Sequence, residues 1–234
     1  MSWQPHPHGS IERHADELWS VAGTLPPSPI PRRMVVVRLD DGRLLIHSAV
    51  ALDDAGMAAL EAWGTPALLV VPNGMHRHDA GAFKERYPQL RVLCPTPATA
   101  KVSEVLGVDG STDELSAEDG LDVFTLPGNK LGEFALIVRH ADGSASAVLT
   151  DAVFNLPHMP GFGGFVIKLL GSSGGPRVTN IGRWLMVEDR GRFADGLREL
   201  ASIEGLRRLL PAHGDVIEGD VAATLRAVAD RLHR

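Results

Sequence analysis

The stretch Leu68-Leu69-Val70-Val71-Pro72-Asn73-Gly74-Met75-His76-Arg77-His78-Asp79-Ala80-Gly81 constrains this chain more than any other part of it. A short apolar run ends in a turn crowded with imidazole and carboxylate, and a helical segment follows. A buried strand that ends in polar groups sets them at one edge of a sheet, where α/β proteins keep their sites. The turn reads as the remnant, or a variant, of a metal-binding loop.

The flanking pattern supports an α/β reading. Met34–Leu39 and Leu44–His47 are strand-like and joined by Asp40-Asp41-Gly42-Arg43, a hairpin signature. Asp53 is placed to cap a helix reaching Trp63, and Gly64 to end it. After the polar loop the spacing predicts a helix over 79–87, a strand over 91–94 and a helix over 96–106. Residues 107–120 read as a surface loop. Strands are expected at 122–126, 134–140, 145–150 and 206–211, with 134–140 and 145–150 joined as a hairpin by a turn at Asp142-Gly143, and helices at 189–203 and 219–233. Residues 155–188 are rich in glycine and read as a lid, a helix pair or an oligomer contact such as a homodimer. Strands alternating with helices are the pattern of sheets flanked by helices. Two such halves, packed sheet to sheet with helices outside, would make a single domain over 17–234. Residues 1–16, with Pro, Gly, His6, His8 and His14, read as a mobile N-terminal segment. Pro26, Pro27, Pro29 and Pro31 read as an extended connector.

Bulk properties exclude several function classes. The 234 residues carry a formal net charge of −6 with no basic block, which argues against nucleic acid or an anionic membrane as partner. No apolar stretch approaches the roughly 20 residues that span a bilayer, and the N-terminus lacks a secretory apolar region. The one cysteine, Cys94, permits no internal disulfide and ends an apolar run as a buried thiol would. A cytoplasmic protein is expected, with a small molecule as substrate or ligand. There is no Gly-x-Ser-x-Gly elbow and no dinucleotide fingerprint.

Four polar sites each lie just past an apolar strand: Asn73–Asp79, Pro127-Gly128-Asn129-Lys130, Asp151 and His213. Their imidazoles and carboxylates suit zinc, iron or manganese. Each also has a plainer reading. Asp151 could cap the following turn, and His213 could donate to a backbone carbonyl. His47 reads as a structural histidine, His140 as a turn residue and His158 as part of the irregular region.

At these four sites the chain resembles the metallo-β-lactamase fold superfamily. That family's pattern is a His-x-His-x-Asp-His loop, a Pro-Gly-His turn, a bridging Asp after a strand and a Pro-x-His-Gly turn. The corresponding residues are Asn73–Gly81, Pro127-Gly128-Asn129, Thr150-Asp151-Ala152 and Pro211-Ala212-His213-Gly214. The segments Arg33–Gly42, His47–Val50 and Val71–Asn73 are similar to one branch of it known as a domain of unknown function. The resemblance implies a four-layer αββα sandwich, two mixed sheets face to face with helices outside. Asn73, Met75 and Asn129 stand where the family has the three histidines of its first metal position, and Arg77 stands where it has the aspartate of the second. The resemblance therefore implies an altered site holding at most one divalent metal. Its ligands are His78, Asp151 and His213, with Asp79 or His76 as a further ligand. His76 is also a candidate proton shuttle, and Asn73 is a candidate for orienting a substrate oxygen. Two readings follow: a metal-dependent hydrolase using one ion, or a non-catalytic binding or scaffold protein on the same fold with an empty site. A redox iron protein is a third.

Overall fold

The computed structural model describes residues 3–28, 30–115 and 120–233. Pro29 of the expected connector and residues 116–119 of the expected 107–120 loop lie outside them. The chain divides into two compact units, Met1–Leu121 and Asp122–Arg234.

The first unit is built on a seven-stranded sheet whose spatial order follows the chain. Its strands are β1 (Glu12–Ala15), β2 (Leu18–Gly23), β3 (Arg32–Arg38), β4 (Arg43–His47), β5 (Thr65–Val70), β6 (Arg91–Cys94) and β7 (Gly110–Ser111). The pairs from β1 to β4 are antiparallel, and those from β4 to β7 are parallel. Strand β3 carries Met34-Val35-Val36-Val37, all buried. β-Branched side chains on successive positions suit a strand covered on both faces. The change to parallel pairing at β4 follows from the helix α1 (Asp54–Trp63), which carries the chain back so that β5 runs alongside. Asp53 Oδ1 accepts from the Gly56 N–H at 2.8 Å and opens α1, while Met57 and Leu60 turn inward. Gly64 ends it as expected, but not by a left-handed turn: its φ is −176°. A Cβ there would lie 2.5 Å from the Gly42 carbonyl and 2.6 Å from Leu44, so close packing demands the glycine.

Two expectations need correction here. The helix expected over 96–106 shrinks to a 3₁₀ turn and the single turn α3 (Thr99–Val102). The β-branched Thr96, Thr99, Val102 and Val105 are weak helix formers, and so short a segment cannot offset nucleation. The segment 1–16, expected to be mobile, is held down over its described residues. Trp3 Nε1 donates to the Leu52 carbonyl at 3.0 Å and its ring meets Phe83 at 5.0 Å. His8 Nε2 accepts from the Asp53 N–H at 3.0 Å, and β1 pairs with β2. One partly buried tryptophan packed on the core gains more than the Pro- and Gly-rich composition of the segment suggests.

The second unit holds a five-stranded sheet in the order β12-β11-β10-β9-β8. These are β8 (Leu121–Thr125), β9 (Phe134–Arg139), β10 (Ala145–Leu149), β11 (Leu206–Pro211) and β12 (Ile217–Glu218). Strands β9 and β10 form the expected hairpin, and β10 and β11 run parallel. Helices α6 (Arg190–Leu200) and α7 (Val221–Asp230) cover it, opened by the Asp189 and Asp220 side chains. Phe193, Leu197, Val221 and Leu225 join Ile137, Ala147 and Leu209 in one core cluster. Between β10 and α6 the irregular region contains two short helices, α4 (Gly161–Leu169) and α5 (Asn180–Leu185). Their Phe162 and Trp184 side chains are exposed.

With α2 (Ala80–Arg86) the described residues contain two mixed sheets and seven α-helices. No described helix is long and apolar enough to cross a membrane.

Candidate metal centre

In the second unit the parallel register of β10 and β11 places two of the expected site residues side by side. Leu149 pairs with Pro211, so Asp151 and His213 both emerge two positions beyond that pair. The Ala212 N–H donates to the Leu149 carbonyl at 2.9 Å and keeps the strand ends in step. His213 Nε2 lies 3.1 Å from Asp151 Oδ1. The Phe154 ring packs against the imidazole with centroids 4.4 Å apart, fixing its plane. Asp151 thus faces an imidazole, and His213 turns to a carboxylate.

A residue that sequence reasoning missed organises this turn. Glu133 is buried, and its Oε1 accepts the N–H groups of Thr150, Asp151 and Ala152 at 2.9, 2.9 and 3.1 Å. Three successive N–H donors converge on one oxygen, so the backbone that presents Asp151 is clamped. Asn129 in turn clamps Glu133: its Oδ1 accepts from the Glu133 N–H at 2.7 Å and from Leu131 at 3.1 Å. The residue standing at a family histidine position is therefore a loop brace. Burial, and then the charge on Asp151, raise the Glu133 carboxyl above its ordinary range, while the three N–H donors pull it back. A carboxyl raised in the folded state stabilises the fold fully below its unfolded pKa and loses that contribution as pH rises. Glu133→Gln keeps the acceptor oxygen and cannot ionise. Its stability relative to the native chain is therefore expected to improve as pH rises above about 4.5, followed by urea unfolding of chelator-treated protein.

In the first unit the polar loop after β5 is wound by Asn73. Its Oδ1 accepts the N–H groups of Met75 (2.8 Å) and His76 (3.2 Å), an Asx turn. His76 is buried and its Nδ1 lies 2.8 Å from Ser48 Oγ. Ser48 itself is buried with φ of +56°, a conformation that costs a serine free energy and persists only where its surroundings enforce it. Arg77, where the family has an aspartate, pairs with Glu104 at 2.7 Å. Met75 is exposed.

Asp79 is buried against Arg32. One carboxylate oxygen accepts from Arg32 Nη2 and from the Ala51 N–H at 2.9 Å. The other lies 3.8 Å from Nε2 of the half-exposed His78. His6 comes from the N-terminal segment to lie beside His78, ring centroids 5.5 Å apart. His6, His78 and Asp79 offer ligand atoms within 4.8 Å of one another. They line a cavity of about 690 Å³ together with Met75, Arg77 and Ala82. Each unit therefore gathers some of the residues picked from the sequence: Asp151 with His213 in one, His78 with Asp79 in the other. His6, Arg32, Ser48 and Glu133 were not among them. His140 and His158 are held by Ser146 (2.7 Å) and Ser173 (3.0 Å).

No protein-family model matches the chain, and no curated protein matches it by sequence. Its structure does match solved ones. The DIM-1 metallo-β-lactamase exposed to ceftazidime superposes with a TM-score of 0.66 at 12% identity, covering 97% of this chain and 99% of that one. This chain has the metallo-β-lactamase fold. TMB-1 gives a TM-score of 0.63 at 11% identity, over 96% of this chain and 98% of that one. The metallo-β-lactamase FIM-1 from Pseudomonas aeruginosa, in its mono-zinc form, gives 0.62 at 9% identity, over 97% and 96%. At these identities the metallo-β-lactamase fold is shared, and the chemistry has to be argued from this chain's own residues.

Proposed function

We propose that this protein is a metal-dependent hydrolase of small molecules that works with a single divalent cation, zinc or alternatively iron or manganese. In this reading Asp151 and His213 hold the ion. An imidazole of the 73–81 loop, His78 or His76, completes the set, and Asp79 is a further carboxylate ligand. A cytoplasmic location goes with it.

The observation that carries the reading is the Asp151–His213 pair, with its atoms 3.1 Å apart. Two ligands bonded at about 2.0–2.2 Å to one tetrahedral ion stand about 3.3–3.6 Å from each other, so the pair needs to part only slightly to share a cation. One carboxylate and neutral imidazoles are the donor set of a borderline metal. Bound there, a divalent cation supplies Lewis acidity toward a hydrolysable carbonyl or phosphoryl group. The Glu133 clamp on the backbone under Asp151 and the Phe154 ring against His213 limit the reorganisation that binding needs. Ser48 engages Nδ1 of His76, which assigns Nε2 to ligation or to proton transfer. Asn73 spends its Oδ1 on the turn, so any hold on a substrate oxygen comes from its Nδ2.

One observation favours a non-catalytic reading. At 3.1 Å the imidazole and the carboxylate are also within reach of satisfying each other directly. Metal analysis of protein purified without chelator separates the two. A single equivalent of metal is expected in the native chain and loss of it in His213→Ala, with His76→Ala and His78→Ala showing which imidazole contributes. Native protein that stays metal-free after reconstitution with zinc, iron and manganese would leave the binding reading in place.

A further inference from the structure

We infer that the Gly171–Gly175 loop and the arginines around it form a pocket for the phosphoryl group of a small molecule. A cavity of about 300 Å³ in the second unit is lined by Arg177, Arg183 and Arg231, with Asn180, Gly171 and Gly174. Among the described residues, no carboxylate lines it. Asp230, next in the chain to Arg231, accepts from Arg198 at 2.8 Å instead.

Three guanidinium groups around one small cavity repel each other, and guanidinium stays charged at any working pH. Such an arrangement costs free energy in the unliganded protein. Arg183 feels it: desolvation first, and then the charges of Arg190 and Arg177, lower its pKa. The arginines are nonetheless fixed by the backbone. Arg183 Nη2 donates to the Arg231 carbonyl at 2.8 Å, Arg231 Nη1 to the Pro176 carbonyl at 3.0 Å, and Arg177 Nη2 to the Gly174 carbonyl at 3.0 Å. These bonds tie the three side chains to the surrounding backbone and spend one donor from each fork. The Nε atoms of Arg177 and Arg183 are buried with no hydrogen-bond partner. Each guanidinium has five N–H donors, so converging cations with Nη donors to spare are a cost that an anion in the cavity offsets.

The loop fits the same purpose. Gly174 has φ of +97°, and a Cβ there would lie 2.6 Å from the His158 ring and 3.3 Å from Arg177 Nη2. The positive φ and the His158 ring together select glycine, which leaves the backbone bare beside the guanidinium. A tetrahedral phosphate, with several acceptor oxygens, suits forks arriving from three directions better than a planar carboxylate. No P-loop lysine is present, so the pocket would hold a phosphoryl group through side-chain forks rather than through a nucleotide-type backbone cradle.

The pocket is made of residues separate from the proposed metal ligands, so its test stands apart from that reading. Chelator-treated full-length protein is titrated calorimetrically with inorganic phosphate and with ribose 5-phosphate, against chloride at matched ionic strength. Saturable 1:1 binding of phosphate is expected, with Arg183→Met weakening it at least tenfold and His213→Ala leaving it unchanged. Tighter binding of ribose 5-phosphate would assign the pocket to an ester, and tighter binding of free phosphate to the ion, either of which upholds it. Arg183→Lys serves if the methionine variant does not fold, because it keeps the charge, loses the fork and should still bind several-fold more weakly. Absence of saturable binding by both probes, or equal affinity in native and Arg183 variants, would overturn the proposal.

Discussion

Arg32→Ala should destabilise the protein by about 3–5 kcal/mol, the usual cost of stripping one partner from a buried ion pair. Arg32 lies at the start of β3 and is 8% exposed, and Asp79 is 5% exposed. Arg32 Nη2 meets the Asp79 carboxylate while Nη1 donates to the Ala49 carbonyl at 3.2 Å. Without the guanidinium the carboxylate keeps only the Ala51 N–H on that oxygen, and at 5% exposure it has little water to replace the lost partner. The cost therefore comes from the charge left behind, not from the value of the bond. It follows that Arg32→Met combined with Asp79→Leu should cost less than Arg32→Ala alone. Urea unfolding measures both: the midpoint falls and the slope is unchanged. A loss below about 1 kcal/mol for Arg32→Ala would show that the pair is hydrated like a surface one. Because Asp79 begins α2, this pair also fastens the 73–81 loop to β3, so the same variant should loosen whatever that loop binds.

The Arg32–Asp79 pair also marks where sequence reasoning stops. Its members are 47 residues apart. Nothing in Arg32-Arg33-Met34 distinguishes a buried arginine from a solvated one at a strand end. Glu133 is similar: it reaches donors 17 to 19 residues on, and only the β9–β10 pairing makes them neighbours. By contrast the elements themselves were legible, because their signals are local. The valines of β3, the Asp53 cap and the Asp142-Gly143 turn act within a few residues of where they stand. The Asp151–His213 pair was legible for an intermediate reason. Each residue sits just past an apolar strand, and two parallel strands ending in register bring such residues together. His6 was hidden by its setting, since a Pro- and Gly-rich terminus gives no sign that Trp3 anchors it. Only the failed helix at 96–106 was a misread local signal, its apolar spacing outweighed by β-branched residues.

Acid should cost this protein stability through His47 in particular. His47 ends β4 and is 1% exposed. Burial first, and then the nearby His76, lower its pKa from 6.5 to about 3. The folded state holds the ring neutral while the unfolded chain takes up a proton below pH 6.5. The sign follows: the stabilisation is complete above that pH and drains away as pH falls toward 3, at up to about 1.4 kcal/mol per unit. By pH 4 the loss from this one group is about 3 kcal/mol. Carboxylates released from ion pairs add to the acid slope, so the informative quantity is the difference between native protein and His47→Gln. The variant pays a packing cost at pH 7.5, but its stability should fall less steeply between pH 6.5 and 4. Parallel curves for the two proteins over that range, in chelator-treated samples, would mean that the ring is protonated in place without penalty. That outcome would put a compensating charge or water beside it. A crossing of the curves near pH 5 would follow if the packing cost is about 2 kcal/mol, the size of the titration loss accumulated by then.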